Sequence, residues 1–257
     1  MRARHTALTP RAAGAPPVAK MIKPNVMRNL LKTRALPRPG CWHRFTAADW
    51  EFISQTLAET PAGRESLATL FEDVDTLELI LASPRLFDAL MERRCGSWLS
   101  PELFFLVVVR QALSRVKTVR FQVADYIAVV CADFGCRADS GPQVRDKQVS
   151  SLYSVDYLEA LHNANRHERF FLHVQCANQF LVLTSLYPDF LHDRAIKRGA
   201  PDIEYYEEVV VNHLTAARDH VLADEFALME VFEQLTEIYP LVRRALNHTA
   251  REFLSLG

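Results

Sequence analysis

The stretch RFFLHVQCANQFLVLTSLYP, residues 169–188, contains the clearest structural signal in the sequence. Between Arg169 and Asp189 lie 19 residues without a formal charge, a length close to that of a membrane-spanning helix. His173, Gln175 and several amide side chains interrupt the apolar run, and such groups are costly in lipid but tolerable in a protein core where they find partners. The stretch therefore predicts a central buried helix.

Helix start signals recur outward from this segment. Thr46 followed by Asp49 has the spacing of a capping box, and Ser83 and Ser100 each precede a proline, as an N-cap precedes a proline in the first helical turn. Only 8 glycines occur in 257 residues, and no Asn-Gly or Asp-Gly hairpin dipeptide is present. The sequence predicts an all-α fold, a single globular domain of about nine to ten helices.

Several boundaries follow from periodicity and from the positions of the prolines. Apolar residues at intervals of three and four predict one helix over 63–81, another over 155–187 and a third from Pro201 to about Leu222. Pro240 is expected to separate the last two helices, because proline inside a helix removes a backbone hydrogen bond.

Charge divides the chain unequally. Ten Lys or Arg side chains and no acid precede Asp49, which leaves 20 basic and 31 acidic side chains for the remainder. We expect residues 1–40 to form a flexible basic arm that is dispensable for folding, and residues 41–257 to form the helical domain. Other interpretations of the basic segment 1–48 are that it binds a nucleic-acid or other anionic partner or docks on the acidic body. It could also be a transit-like leader, or an extension upstream of a start at Met21 or Met27.

The location of the protein is inferred from its cysteines and its first residues. The five cysteines are odd in number and scattered along the chain, so they are expected to be free thiols in a reducing compartment. Residues 1–30 contain no apolar segment of the kind that a secretory signal needs. These features predict a cytoplasmic protein without a membrane span.

The main candidate site lies around HNANRHERFFLHV, residues 162–174. If 155–187 is one helix, intervals of three and four place five side chains on one face: Glu159, His162, Arg166, Arg169 and His173. The helix beginning at Pro201 follows a turn of about 13 residues, which favours an antiparallel neighbour. We therefore expect this stripe to approach the acidic and aromatic residues Glu204, Tyr205 and Glu208.

Three interpretations of this region remain open. The simplest interpretation is that the region is an ion-paired contact between helices. In that case His173, as a single buried histidine, would be a hydrogen-bonded core residue. A ligand site, for example for an anion held by the arginines and histidines, would use His162, Arg166, His173, Tyr205 and Glu208. A metal site, in which Glu159 and His162 form a Glu-x-x-His pair, would bind iron or manganese through Glu159, His162, Glu204, Glu208 and His213.

Two stretches, SPELFFLVVVRQAL (100–113) and LTSLYPDFLHDRAIKRGAPDIEYYEE (183–208), resemble bacterial all-helical proteins with no assigned function. The resemblance implies an all-helical fold and no particular chemistry. The sequence contains no Gly-rich phosphate loop, Gly-x-Ser-x-Gly elbow or His-Glu-x-x-His motif. The favoured function is a helical binding or regulatory protein, and the alternative is a heme-oxygenase-like or ferritin-like metal-dependent oxidoreductase.

Overall fold

The structure is a computed structural model that describes residues 40–92, 98–116, 119–136, 143–144, 147–148 and 154–254. The prediction of an all-α protein is confirmed. After a 3-10 turn at Cys41–Arg44, the first half contains six helices: α1 (Ala47–Leu57), α2 (Pro61–Leu70), α3 (Val74–Leu81), α4 (Pro84–Glu92), α5 (Pro101–Leu113) and α6 (Phe121–Cys136).

The second half adds six more helices. A two-residue antiparallel ladder, β1 (Gln143–Val144) with β2 (Lys147–Gln148), precedes them. They are α7 (Ser154–Asn163), α8 (Arg166–Leu186), α9 (Pro188–Arg198), α10 (Ile203–Arg218), α11 (Val221–Glu225) and α12 (Met229–Thr249), and α12 continues into a π-helical turn at Ala250–Leu254.

The predicted caps explain where several helices begin. Thr46 and Asp49 form a complete capping box at the start of α1, and the Ser100 hydroxyl accepts a hydrogen bond from the Leu103 N–H at the start of α5. Asp49 also accepts the Ser100 N–H at 2.8 Å. One buried carboxylate therefore joins two helix starts, where the helix dipole favours negative charge.

The described residues contain more helices than the nine or ten expected. The helix predicted over 63–81 is two helices, because the Asp73 carboxylate accepts the Thr76 N–H and begins α3. The helix that starts after Asp202 ends at Arg218, and His220 caps the separate short α11.

Pro240 does not end a helix, so the prediction of two final helices is wrong. It lies inside α12 and is exposed to solvent. The buried residues Phe232, Leu235, Tyr239 and Val242 continue at helical spacing on both sides of it. Packing of this apolar face offsets the loss of one backbone hydrogen bond at the exposed proline.

The core is centred on α8, which contacts α6, α7, α9, α10 and α12. Phe180, in the middle of the uncharged stretch, is 1% exposed. Pro188 is the first residue of α9, so the predicted stop after Tyr187 is correct. Among the described helices, none has both the length and the apolar content needed to cross a membrane. The 169–188 stretch is thus a core helix.

Candidate functional site

The candidate site begins at a break between α7 and α8. Asn165 caps α8, because its side chain accepts the Glu168 N–H while the Glu168 carboxylate accepts the Asn165 N–H. The prediction of a single helix over 155–187 is therefore wrong. An asparagine followed by a glutamate three residues later is a signal for the start of a new helix. The predicted stripe is divided between two helices.

The break separates the residues of that stripe. Glu159 and His162 lie on α7 with exposed side chains, and Arg166 is the exposed first residue of α8. Arg169 is also exposed and donates from Nε to the Ala164 carbonyl at 3.2 Å. Only His173 of this group reaches the packed seam between α8 and α10.

Helices α8 and α10 are neighbours, as predicted, and their contacts define an antiparallel register. The ring of Phe180 stacks on Tyr206 with centroids 4.9 Å apart. One heptad earlier on α8 and one heptad later on α10, His173 meets His213. This register pairs His173 with His213, whereas Glu208 lies more than a helical turn away from His213 along α10.

The His173–His213 contact joins two ring nitrogens. The Nδ1 atoms are 3.1 Å apart, and the ring centroids are 4.9 Å apart. Since both atoms belong to imidazoles, one ring must donate an N–H and the other must accept it with a lone pair. The pair is therefore a hydrogen bond that requires at least one neutral histidine.

Burial keeps this pair uncharged near neutral pH. His213 is buried, and its pKa is lowered to about 4 by desolvation and by the nearby His173. The pKa of the half-buried His173 is also lowered, first by desolvation and then by Arg169 and His220. In the part of the chain that the structure describes, the groups that act on the pair lie on α8, on α10 and in the turn before α11, and they include no carboxylate.

Two further histidines lie at the α11 end of the same contact. The His220 Nδ1 accepts the Leu222 N–H at 3.1 Å, and its ring lies 5.3 Å from that of Phe170. His167 makes an edge contact with His220 at 6.4 Å. We call His167, His173, His213 and His220 the histidine seam. Of these four, His173 and His213 belong to the candidate residues predicted from the sequence.

The predicted iron or manganese ligands are not brought together in the described part of the chain. Glu204 and Glu208 are exposed on α10, Glu159 and His162 are exposed on α7, and His213 is buried. Among the described residues, no group of three or more His, Cys, Asp or Glu side chains is arranged to hold a metal ion. Binding of a ligand by His162, Arg166, His173, Tyr205 and Glu208 stays a prediction.

The acid of α10 that pairs with a neighbouring helix is Glu207, which is not among the residues predicted for the site. It forms a partly buried ion pair with Arg243 on α12. Arg243 also donates to the Asn247 side chain at 3.2 Å, and Asn247 in turn donates to the Thr184 carbonyl at 2.8 Å. This network links α10, α12 and the end of α8.

Three polar side chains of α8 form hydrogen bonds with tyrosines of other helices. Tyr126 donates to Asn178 at 2.6 Å, and Tyr157 donates to Gln179 at 2.9 Å. The hydroxyls of Thr184 and Tyr239 are 2.5 Å apart. Hydrogen bonds of this kind join α6, α7 and α12 to α8, which explains why the uncharged stretch 170–188 carries these polar groups.

A second buried polar cluster lies between α5 and α6. Arg110 and Asp125 form an ion pair at 2.7 Å, and both side chains are almost fully buried. Asp125 also accepts the Gly40 N–H at 3.1 Å, and Arg110 donates to the Glu78 carbonyl at 2.8 Å. The sequence pattern that indicates this buried pair is a single charged residue in each of two apolar runs, Arg110 in LFFLVVVR and Asp125 in VADYIAVV.

The neighbouring thiol of Cys41 is unreactive in this setting. Burial, followed by the Asp125 carboxylate, raises its pKa well above the usual range. Cys131 and Cys176 are likewise buried and free, and burial raises their pKa values. A thiolate is the reactive form of cysteine, so these three cysteines behave as core residues.

No protein-family model, curated protein or solved structure matches this chain. The proposed function below therefore rests on the geometry of the chain itself.

Proposed function

We propose that this is a helical regulatory protein that responds to acid through the His173–His213 pair between α8 and α10. The observation that carries the proposal is the 3.1 Å separation of the two Nδ1 atoms across the seam. A hydrogen bond of this kind exists only while at least one of the two rings has an unprotonated Nδ1.

Protonation acts on the seam in two steps that belong to the pair as a whole. The first added proton binds to the free Nε2 of the ring that donates from Nδ1, so the Nδ1–H···Nδ1 hydrogen bond persists, but it places a positive charge in a half-buried contact beside Arg169. The second proton places one N–H against the other. Two unit charges about 4 Å apart repel by about 1 kcal/mol in water and about 4 kcal/mol near a protein surface. Among the described residues, the groups that shift the pKa values of the pair include no acid that would offset this repulsion.

Loosening at this point reaches other parts of the molecule. His213 is followed on α10 by Leu214 and Ala217, which belong to the core. On the other side of the seam, α8 carries the partners of Tyr126, Tyr157 and Tyr239. A change in the α8–α10 distance would therefore alter the surface that α10 presents to a binding partner.

The test is amide hydrogen exchange at about pH 7 and about pH 5, corrected for the intrinsic effect of pH on exchange. We expect the backbone amides of α10 around His213 to lose protection at the lower pH, because local opening determines exchange. His213→Asn keeps a polar group at the Nδ1 position but does not titrate, and it should abolish the pH effect.

The matched control is His192→Asn, because His192 is exposed on α9. This variant should behave like the parent protein. Equal acid-induced exchange in the parent and in the His213→Asn variant would overturn the proposal.

A further inference from the structure

Helices α2 and α3 expose apolar side chains that nothing in the described structure covers. Helix α2 has no buried residue, although an isolated helix of about ten residues is marginally stable in water. The exposed fractions are 47% for Leu70, 53% for Val74 and 67% for Leu79. We call these three residues, with the acidic residues between Glu59 and Glu78, the α2–α3 surface.

Among the described residues, contacts at one side of the helix pair attach it to the rest of the protein. Phe71, at the end of α2, packs on the ring of Trp50 in α1, with centroids 4.9 Å apart. Leu77 and Leu81 of α3 are buried in the core. The exposed apolar residues lie outside these contacts, so they remain available for a further segment.

The α2–α3 surface is strongly acidic. Between Glu59 and Glu78 the only basic residue is Arg64. The acids are Glu59, Glu65, Glu72, Asp73, Asp75 and Glu78. A segment that covers this surface should therefore combine apolar and basic side chains.

The chain itself contains such a segment. Residues 1–39, which precede the described part of the structure, carry nine Lys or Arg and no Asp or Glu. Within it, VMRNLLK (26–32) places apolar residues beside basic ones. Its composition is complementary to that of the α2–α3 surface in both charge and hydrophobicity.

The point where this segment joins the described structure is linked to α3 through two buried side chains. The Gly40 N–H is bound by Asp125, Asp125 pairs with Arg110, and Arg110 donates to the carbonyl of Glu78 in α3. An extended chain spans about 3.3 Å per residue, and α2 is only about 15 Å long at about 1.5 Å per residue. The residues immediately before Gly40 can therefore reach both helices.

We propose that residues 20–38 of this chain bind the α2–α3 surface, with apolar side chains against Leu70, Val74 and Leu79 and basic side chains against the surrounding acids. This binding is independent of the histidine seam. The N-terminal segment would then have a specific binding site on the protein. It would not be required for folding, because the α2–α3 surface lies outside the core.

The experiment is limited trypsin digestion of the full chain, with mass spectrometry following cleavage after the basic residues of 20–38. Docking should protect these sites, since proteolysis follows the population of the open state. In Leu79→Ser, and in the double variant Glu65→Lys with Glu72→Lys, we expect cleavage about fivefold faster than in the parent, on the same principle.

Two matched controls separate docking from general surface effects. Leu241→Ser removes another exposed leucine, 51% exposed, from α12, and Glu208→Lys with Glu237→Lys reverses two exposed charges elsewhere. Both controls should be cleaved at the parental rate. Raising NaCl to about 0.5 M, where the Debye length is about 4 Å, should remove the difference between the charge variant and the parent.

Equal cleavage of the parent and the α2–α3 variants at low salt would overturn the proposal. Protection that increases with protein concentration would also overturn it, because the occupant would then be the segment of a second copy. Thermal unfolding of each variant checks that α2 and α3 remain folded.

Discussion

The ring of Phe180 lies parallel to the ring of Tyr206, with an angle of 16° between their planes. Both residues are buried, and each is one heptad away from a histidine of the His173–His213 pair. The aromatic stack thus fixes the register that brings the two imidazoles together. A change at the stack should affect both stability and the seam.

Phe180→Ala is expected to lower the free energy of unfolding by about 3–5 kcal/mol, as for buried aromatic residues in general. The ring is fully enclosed, and its loss leaves a cavity against Tyr206. Urea titration measures the effect, with Phe190→Ala on the exposed side of α9 as control. A loss below about 1 kcal/mol would mean that α8 is not central to the core.

Stability is expected to fall as pH decreases from about 6.5 towards 4. The pKa of His213 is about 4 in the folded protein and about 6.5 in an unfolded chain. Between these values the unfolded state binds more protons, so the free energy of unfolding decreases with falling pH. The loss is at most roughly 3 kcal/mol, at about 1.4 kcal/mol per pH unit.

The same pH series in His213→Asn, followed by denaturant titration, should have a shallower slope. His192→Asn should retain the parental slope. An unchanged slope in the His213 variant would assign the acid sensitivity to other groups.

Arg110→Met is expected to destabilise the protein by about 3–5 kcal/mol, because it leaves the buried Asp125 carboxylate without its charged partner. The exposed Arg64 provides the comparison, and Arg64→Met should change stability by less than about 0.5 kcal/mol. Similar losses in the two variants would show that the buried pair is not important for stability.

The position at which the N-terminal segment is removed should matter. A chain that begins at Gly40 places a charged amino terminus at Asp125, beside Arg110, whereas a chain that begins at Leu36 keeps the neutral amide. We expect the Leu36 form to melt within about 2 °C of the full chain, and the Gly40 form to lose about 1–3 kcal/mol.

Calorimetry in about 0.5 M NaCl, where docking of the segment is screened, makes this comparison. A large loss in the Leu36 form under these conditions would show that residues 1–35 are part of the folded core, contrary to the interpretation of 1–40 as a dispensable arm.

His162→Gln tests the iron or manganese hypothesis. Because His162 is exposed on α7, the change should alter the free energy of unfolding by less than about 0.5 kcal/mol. Elemental analysis of protein purified without chelator should give the same low metal content for parent and variant. Stoichiometric iron or manganese in the parent, lost in the variant, would favour the oxidoreductase alternative.

The sequence predicted those features of the fold that depend on local chemistry. The Thr46–Asp49 capping box, the proline after Ser100 and the stop before Pro188 are determined by neighbouring residues. Asn165 and Glu168 also form a helix start signal, but the apolar periodicity on both sides of them favours one continuous helix. At Pro240 the reverse occurred, because burial of Tyr239 and Val242 outweighed a strong local breaker.

The candidate site depended on tertiary information that periodicity does not contain. Both His173 and His213 were identified as candidates, but their contact requires the register set by Phe180 and Tyr206. The Arg110–Asp125 pair joins positions on two helices and was not anticipated, since either charge alone resembles an exposed residue at a helix face.

The contact between Phe87 and Phe253 has a consequence for synthesis of the chain. Phe87 in α4 is buried, and the edge of one ring meets the face of the other at a centroid distance of 4.9 Å. Ribosomes add roughly 5–20 residues per second, so α4 emerges on the order of ten seconds before Phe253. During that interval the side of Phe87 that Phe253 covers in the folded protein has no aromatic partner from the end of the chain.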